Sequence, residues 1–148
     1  MNKDQFLEYI DHFNNRRYDA LRTYFAPDIT VEYFDNYLER EIPARTLHGP
    51  EEFIDSYRTL HEYVREVSEV GDFLVSEDRL FAELYVEFHC IRDNPPESLK
   101  NRLNRYQLKR KGDVFIWMGW VLYNLENDKM KRIRIAYHRM HDPKLARL

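Results

Sequence analysis

A chain of 148 residues with a formal net charge of −3 and one cysteine, Cys90, excludes an intrachain disulfide and a metal–thiolate centre, and it lacks the basic balance that draws a domain to nucleic acid. No run approaches the ~18 apolar residues of a membrane span, and the opening Met1-Asn2-Lys3-Asp4-Gln5-Phe6 has no apolar signal core, so a soluble, cytoplasmic protein without a membrane partner is expected. The length fits a single domain over residues 1–148, and nine Phe, eleven Tyr and two Trp predict an aromatic core with tyrosines to spare for lining a pocket.

Phe6, Leu7, Tyr9, Ile10 and Phe13 recur at helical spacing and predict a first helix over 4–13; Tyr18, Leu21, Tyr24 and Phe25 restart the period in a shorter helix ending at Pro27. The β-branched and aromatic run from Ile29 to Asp35 predicts a strand, and a polar segment containing Pro43 follows. Pro50 with Glu51 and Glu52 marks a helix start, which Phe53, Ile54, Tyr57, Leu60, His61 and Val64 continue on one face. Alternation then takes over from Val64 to Val75, with Gly71-Asp72 as a bulge or kink.

Arg79–Arg92 is the clearest strand, with Leu80, Ala82, Leu84, Val86, Phe88 and Cys90 on one face and Phe81, Glu83, Tyr85, Glu87 and His89 on the other. Residues 94–112 carry Lys100, Arg102, Arg105, Lys109, Arg110 and Lys111 and read as a basic loop with one short helical turn or strand start. It is either a solvated loop or a guide for an acidic substrate. Val114–Leu125 is apolar on both alternations, as in a strand covered on both sides, and Lys131–His141 returns as its hairpin partner. Helices first and strands after point to an α+β domain, with about three helices on one face of a curved, mainly antiparallel sheet.

Tyr18–Asp28 followed by Ile29–Tyr33, the stretch Leu47–Ile54, and Arg132–His138 with Asp142-Pro143 resemble the second helix and first strand, the third-helix start and the final strand of the SnoaL-like, nuclear-transport-factor-2-like (NTF2-like) superfamily. The resemblance implies a cone-shaped roll with its ligand cavity between the helices and the concave sheet. It also implies chemistry on a small apolar oxygenated metabolite, polyketide- or terpenoid-like. Around Ala26-Pro27 and Tyr33 the chain is similar to scytalone dehydratase, which implies a water-orienting Tyr33 and an acid/base His89; Phe13 and Asn14 stand where that enzyme has tyrosine and aspartate. Along the first helix it is similar to steroid Δ-isomerase, which implies an oxyanion role for Tyr9; Tyr33 stands at that enzyme's catalytic aspartate.

The candidate site follows from which face of Arg79–Arg92 looks inward. With Tyr85, Glu87 and His89 inside, a carboxylate, an imidazole and a phenol line the cavity as an acid–base set; with the apolar face inside, Glu83 and Glu87 face solvent. The first orientation gives the catalytic candidates His89, Glu87, Tyr33 and Asp35, and the substrate-binding candidates Tyr9, Tyr57, Tyr85, Trp117, Trp120 and His138, with Tyr123 as a further stacking surface. Six histidines scattered singly argue against a metal centre. Four glycines supply no phosphate-cradling loop, so no cofactor is expected. The reading is thus a cofactor-independent lyase, isomerase or cyclase, with a noncatalytic small-molecule-binding or assembly domain as the alternative. In either case the doubly apolar strand predicts a homodimer through the outer sheet face.

Overall fold

The computed structural model describes residues 1–34 and 43–148. Helix α1 (Lys3–Asn14) opens on a capping box: the Asn2 side chain accepts from the Gln5 amide at 3.0 Å, and the Gln5 side chain accepts from the Asn2 amide at 2.8 Å. Two donors that a first turn leaves open are thereby satisfied. Helix α2 (Tyr18–Arg22) is shorter than its periodicity suggested. Strand β1 (Phe25–Phe34) already begins at Phe25 and tolerates Pro27 because its pairing register breaks between Phe25 and Thr30.

The polar segment after β1 ends in a strand that the sequence did not announce, β2 (Arg45–His48), which pairs antiparallel with β1 from Tyr33↔Arg45 to Thr30↔His48. Gly49 then takes φ +75°, a region glycine enters without steric cost, and turns the chain into helix α3 (Gly49–His61) with Pro50, Glu51 and Glu52 in its first turn.

Strands β3 (Val64–Val75), β4 (Arg79–Cys90), β5 (Val114–Glu126) and β6 (Lys129–His141) form an antiparallel meander, and β6 pairs parallel with β1. The sheet order is therefore β2-β1-β6-β5-β4-β3. Asn127 and Asp128 both take positive φ in the β5–β6 turn, the two-residue hairpin geometry that matches strand twist. Register shifts at Val70/Phe73, where the Gly71-Asp72 kink was expected, at Met118/Gly119 and at Asn124/Leu125 bend the sheet.

The basic loop contains a helix, α4 (Glu97–Arg105), whose Leu99 and Leu103 are buried together with Tyr106. Their i, i+4, i+7 spacing makes one apolar stripe beneath a charged exterior. Among the described residues no helix is long and apolar enough to cross a membrane. Side chains of α1 and α3 pack on the concave face, where Phe6 meets Tyr123 edge-on and Phe13 meets Tyr57 edge-on. Asn14 ties the end of α1 to β3 as a strand would, donating to the Ser68 carbonyl at 2.9 Å and accepting from its amide at 2.8 Å.

Strand β4 presents its apolar face to that core. Leu80, Ala82, Leu84, Val86, Phe88 and Cys90 are all buried, and Leu84 and Val86 share a cavity with Tyr9 and Phe13 of α1. Tyr85, Glu87 and His89 consequently stand on the convex face, across from Met118, Ile116 and Val114. Desolvation decides the orientation: six apolar side chains gain more from the concave core than one imidazole and one carboxylate would.

Candidate functional site

Two cavities lie on the concave side. The outer one, of about 680 Å³, opens between β1, β2, α3, α4 and β6 and is lined by Tyr33, Leu47, Leu99, Tyr106 and Tyr137 together with polar groups including Arg45, Ser56 and Arg102. Behind it an inner cavity of about 50 Å³ is lined mainly by aromatic and aliphatic side chains, among them Tyr9, Phe13, Tyr57, Trp117 and Tyr123. The Tyr33 hydroxyl from the outer lining meets the Tyr57 hydroxyl from the inner lining at 2.8 Å, so this pair joins the two spaces. A second pair, Tyr106 and Tyr137 at 2.9 Å, stands in the outer wall.

One carboxylate reaches the inner cavity, and it comes from β3. Glu66 is 6% exposed, placed inward because Val64, Glu66 and Ser68 share a face of the strand. Its Oε2 lies 3.3 Å from His61 Nε2, and His61 Nδ1 lies 2.8 Å from the Tyr18 hydroxyl. With the Tyr18 hydroxyl donating to Nδ1, Nε2–H donates to Glu66, so the neighbours select one tautomer. The chain Tyr18–His61–Glu66 runs from the half-buried helix α2 to the cavity wall.

Burial pushes the phenols of Tyr9, Tyr33, Tyr57 and Tyr123 above the ordinary tyrosine value, which keeps them neutral hydrogen-bond donors at neutral pH. Burial draws the Arg102 guanidinium down, but the surrounding phenols of Tyr57, Tyr106 and Tyr33 and the Glu66 carboxylate more than offset this and hold it above its ordinary value. Trp117 Nε1 is buried with no hydrogen-bond partner among the described residues. A buried donor left unpaired costs about 1–3 kcal/mol, a cost the inner lining carries at this indole.

The expected residues therefore divide. Tyr9, Tyr57 and Trp117 line the inner cavity, and Tyr33 lines the outer one. Asp35 lies outside the described residues. Tyr85, Glu87, His89, Trp120 and His138 line neither cavity, which corrects the expectation that they converge inside. Trp120 stacks on His138 with centroids 4.5 Å apart and donates to Glu83 at 3.1 Å on the convex face.

Glu87 is 0% exposed for a reason unrelated to the cavity. It accepts from the amides of Arg147 at 2.6 Å and Leu148 at 3.2 Å and from the Tyr85 hydroxyl at 2.8 Å, and His89 Nε2 lies 2.7 Å away. Burial raises its carboxyl, but these four contacts prevail and hold it below the usual carboxylate value. Sequence reasoning missed Glu66 and His61. The signal available was a Glu and a Ser on the same alternation as Val64, close to a histidine that ends a helix. Among the described residues no group of three or more His, Cys, Asp or Glu side chains is arranged to hold a metal ion.

The architecture is an NTF2-like roll, and it recurs in solved structures of low sequence identity. An NTF2-like protein of unknown function from Burkholderia pseudomallei superposes with a TM-score of 0.65 at 15% identity, over 91% of this chain and 88% of that one. An LEH-like epoxide hydrolase of M. tuberculosis gives 0.62 at 7% identity, over 88% and 77%. The epoxide hydrolase/cyclase-like enzyme SalBIII, of pyran ring formation in the polyether salinomycin, gives 0.62 at 15% identity, over 92% and 89%. No curated protein matches the sequence. The family profile described as a SnoaL-like domain matches residues 6–133, and the chain belongs to that family.

Proposed function

We propose that the protein is a cofactor-independent acid–base enzyme acting on a small, largely apolar, oxygenated molecule, with Glu66 as the proton-transferring group. The observation that carries this is a buried carboxylate in the wall of an aromatic cavity, joined through His61 to Tyr18. In such surroundings a carboxylate is weakly solvated and a competent base toward a carbon next to a carbonyl. The Tyr33–Tyr57 hydroxyl pair, in which one O–H is used within the pair, supplies the donor for an oxygen that gains negative charge. Returning the proton elsewhere on the carbon skeleton gives isomerisation; delivering it to a hydroxyl on the β-carbon, whose C–O bond breaks as the carbon–carbon double bond forms, releases water and gives elimination. At about 50 Å³ the inner cavity admits only a small reacting group, and the bulk of the ligand stays in the outer one. That fit, and structural neighbours described as an epoxide hydrolase and an epoxide hydrolase/cyclase-like enzyme, support the reading.

The alternative is a noncatalytic binding domain, which the narrow, aromatic-filled inner cavity favours. Deuterium incorporation beside the carbonyl of butyrophenone in heavy water, followed by NMR, separates the two. The enzyme accelerates exchange over buffer, and Glu66→Gln lowers the rate by about 10²-fold or more. Binding without accelerated exchange supports the alternative. The same proposal includes a homodimer through the convex sheet face, where Trp120 is 49% exposed.

A further inference from the structure

The outer cavity carries a charge arrangement that a purely apolar ligand leaves unused. Arg45 from β2 and Arg102 from α4 both donate to the single Ser56 hydroxyl of α3, Arg102 at 3.4 Å. Neither guanidinium is paired with a carboxylate among the described residues. Each lies over one tyrosine of the pair that joins the two cavities, Arg45 at 4.9 Å from the Tyr33 ring centre and Arg102 at 5.5 Å from that of Tyr57. The stacking fixes both planes. One hydroxyl accepting from two cations is a weak substitute for an anion, because a neutral oxygen returns about half the strength of a charged acceptor.

Among the described residues the acidic groups of the same lining are Glu52 and Asp55. Asp55 is paired with Arg58 at 3.0 Å, and Glu52 accepts from the His48 amide. With Asp55 held by Arg58, Arg45 and Arg102 stand against Glu52 among the described residues, a surplus of one positive charge. A monoanion balances it, and a phosphate dianion exceeds it.

Resting on the reading that the reacting group enters the inner cavity, we infer that the substrate is an oxo- or hydroxy-carboxylic acid, its carboxylate held by Arg45, Arg102 and Ser56 in the outer cavity. The guanidinium groups sit over the very rings whose hydroxyls face the reacting oxygen. Only a few bonds therefore separate the acid group from that oxygen, as in a γ-oxo acid.

Calorimetric titration with 3-benzoylpropionate and with its methyl ester tests this without requiring turnover. The acid is expected to bind at least tenfold more tightly than the ester at low salt, with added NaCl weakening only the acid. In an Arg45→Met/Arg102→Met variant, checked for fold by circular dichroism, the preference falls to near unity, while Arg102→Lys in the wild-type background retains part of it. Equal affinities for acid and ester, a preference that survives in the double variant, or no binding of either compound overturns the inference. Tighter binding of 4-phenylbutyl phosphate than of the acid overturns the monoanion assignment. Tight, arginine-dependent binding of the acid without proton exchange leaves the carboxylate site standing and defeats the acid–base reading instead.

Discussion

Gly119 lies beneath the indole of Trp117, so a Cβ at this position meets the ring carbons and stands 3.0 Å from the Ala136 carbonyl. Gly119→Ala is expected to lower stability by about 1–3 kcal/mol and to shift the indole emission; an unchanged denaturation midpoint would count against this packing. Trp117, Tyr9, Tyr33, Tyr57 and Tyr123 were legible in the sequence, whereas Tyr106 and Tyr137 were not singled out, because large aromatic side chains at inward positions have few places to go but the core or a cavity wall and the pattern does not say which. Glu66 was not, since alternation shows that two faces differ without showing which buried polar group finds a partner. His61 supplies that partner from α3, two elements that meet only once the chain is folded. The same gap explains Glu87. Burial of a carboxylate looked like catalysis, and its cause is a bond network to distant backbone amides.

At the scale of elements, β4 and the segment Pro143–Leu148 form one unit on the convex face. Besides the Glu87 contacts, the Arg147 guanidinium lies 4.3 Å over the Tyr85 ring and 3.1 Å from Glu69. Because the folded-state carboxyl of Glu87 is depressed, its contribution is full above the ordinary carboxylate value of about 4.3 and is lost as pH falls through the lower folded value. Hydrogen exchange should show the Arg147 and Leu148 amides protected at neutral pH and released on acidification below the ordinary carboxylate range, before the Ile116 amide of β5. Glu87→Gln should remove that acid step. Wild-type protection that ends only together with that of the Ile116 amide, or an unchanged step in the variant, contradicts the assignment. Helix α4 shows how charge masks periodicity. Its Leu99–Leu103–Tyr106 stripe was present, but the surrounding lysines and arginines gave the segment the composition of a loop. Leu103→Ala should cost about 2–5 kcal/mol in chemical denaturation.

For the whole molecule, the order of elements apart from β2 and α4 was legible from periodicity, as was the gathering of α1 and α3 on one face of a bent sheet. The parallel pairing of β1 with β6, and β2 at the sheet edge, were not, because long-range pairing leaves no local trace in sequence. On the convex face Trp120 stands beside the half-buried Met118 and Leu122. If two copies meet there, sedimentation should give a dimer that Trp120→Glu dissociates; a monomeric wild type would remove that part of the proposal. On the proposed function, chemistry resides in the cone around Glu66 and not on the convex face around Glu87. The most direct test compares deuterium exchange into butyrophenone by Glu66→Gln and Glu87→Gln under identical conditions. A loss of about 10²-fold or more is expected in the first and a near wild-type rate in the second; equal losses, or a loss confined to Glu87→Gln, would overturn the assignment of Glu66.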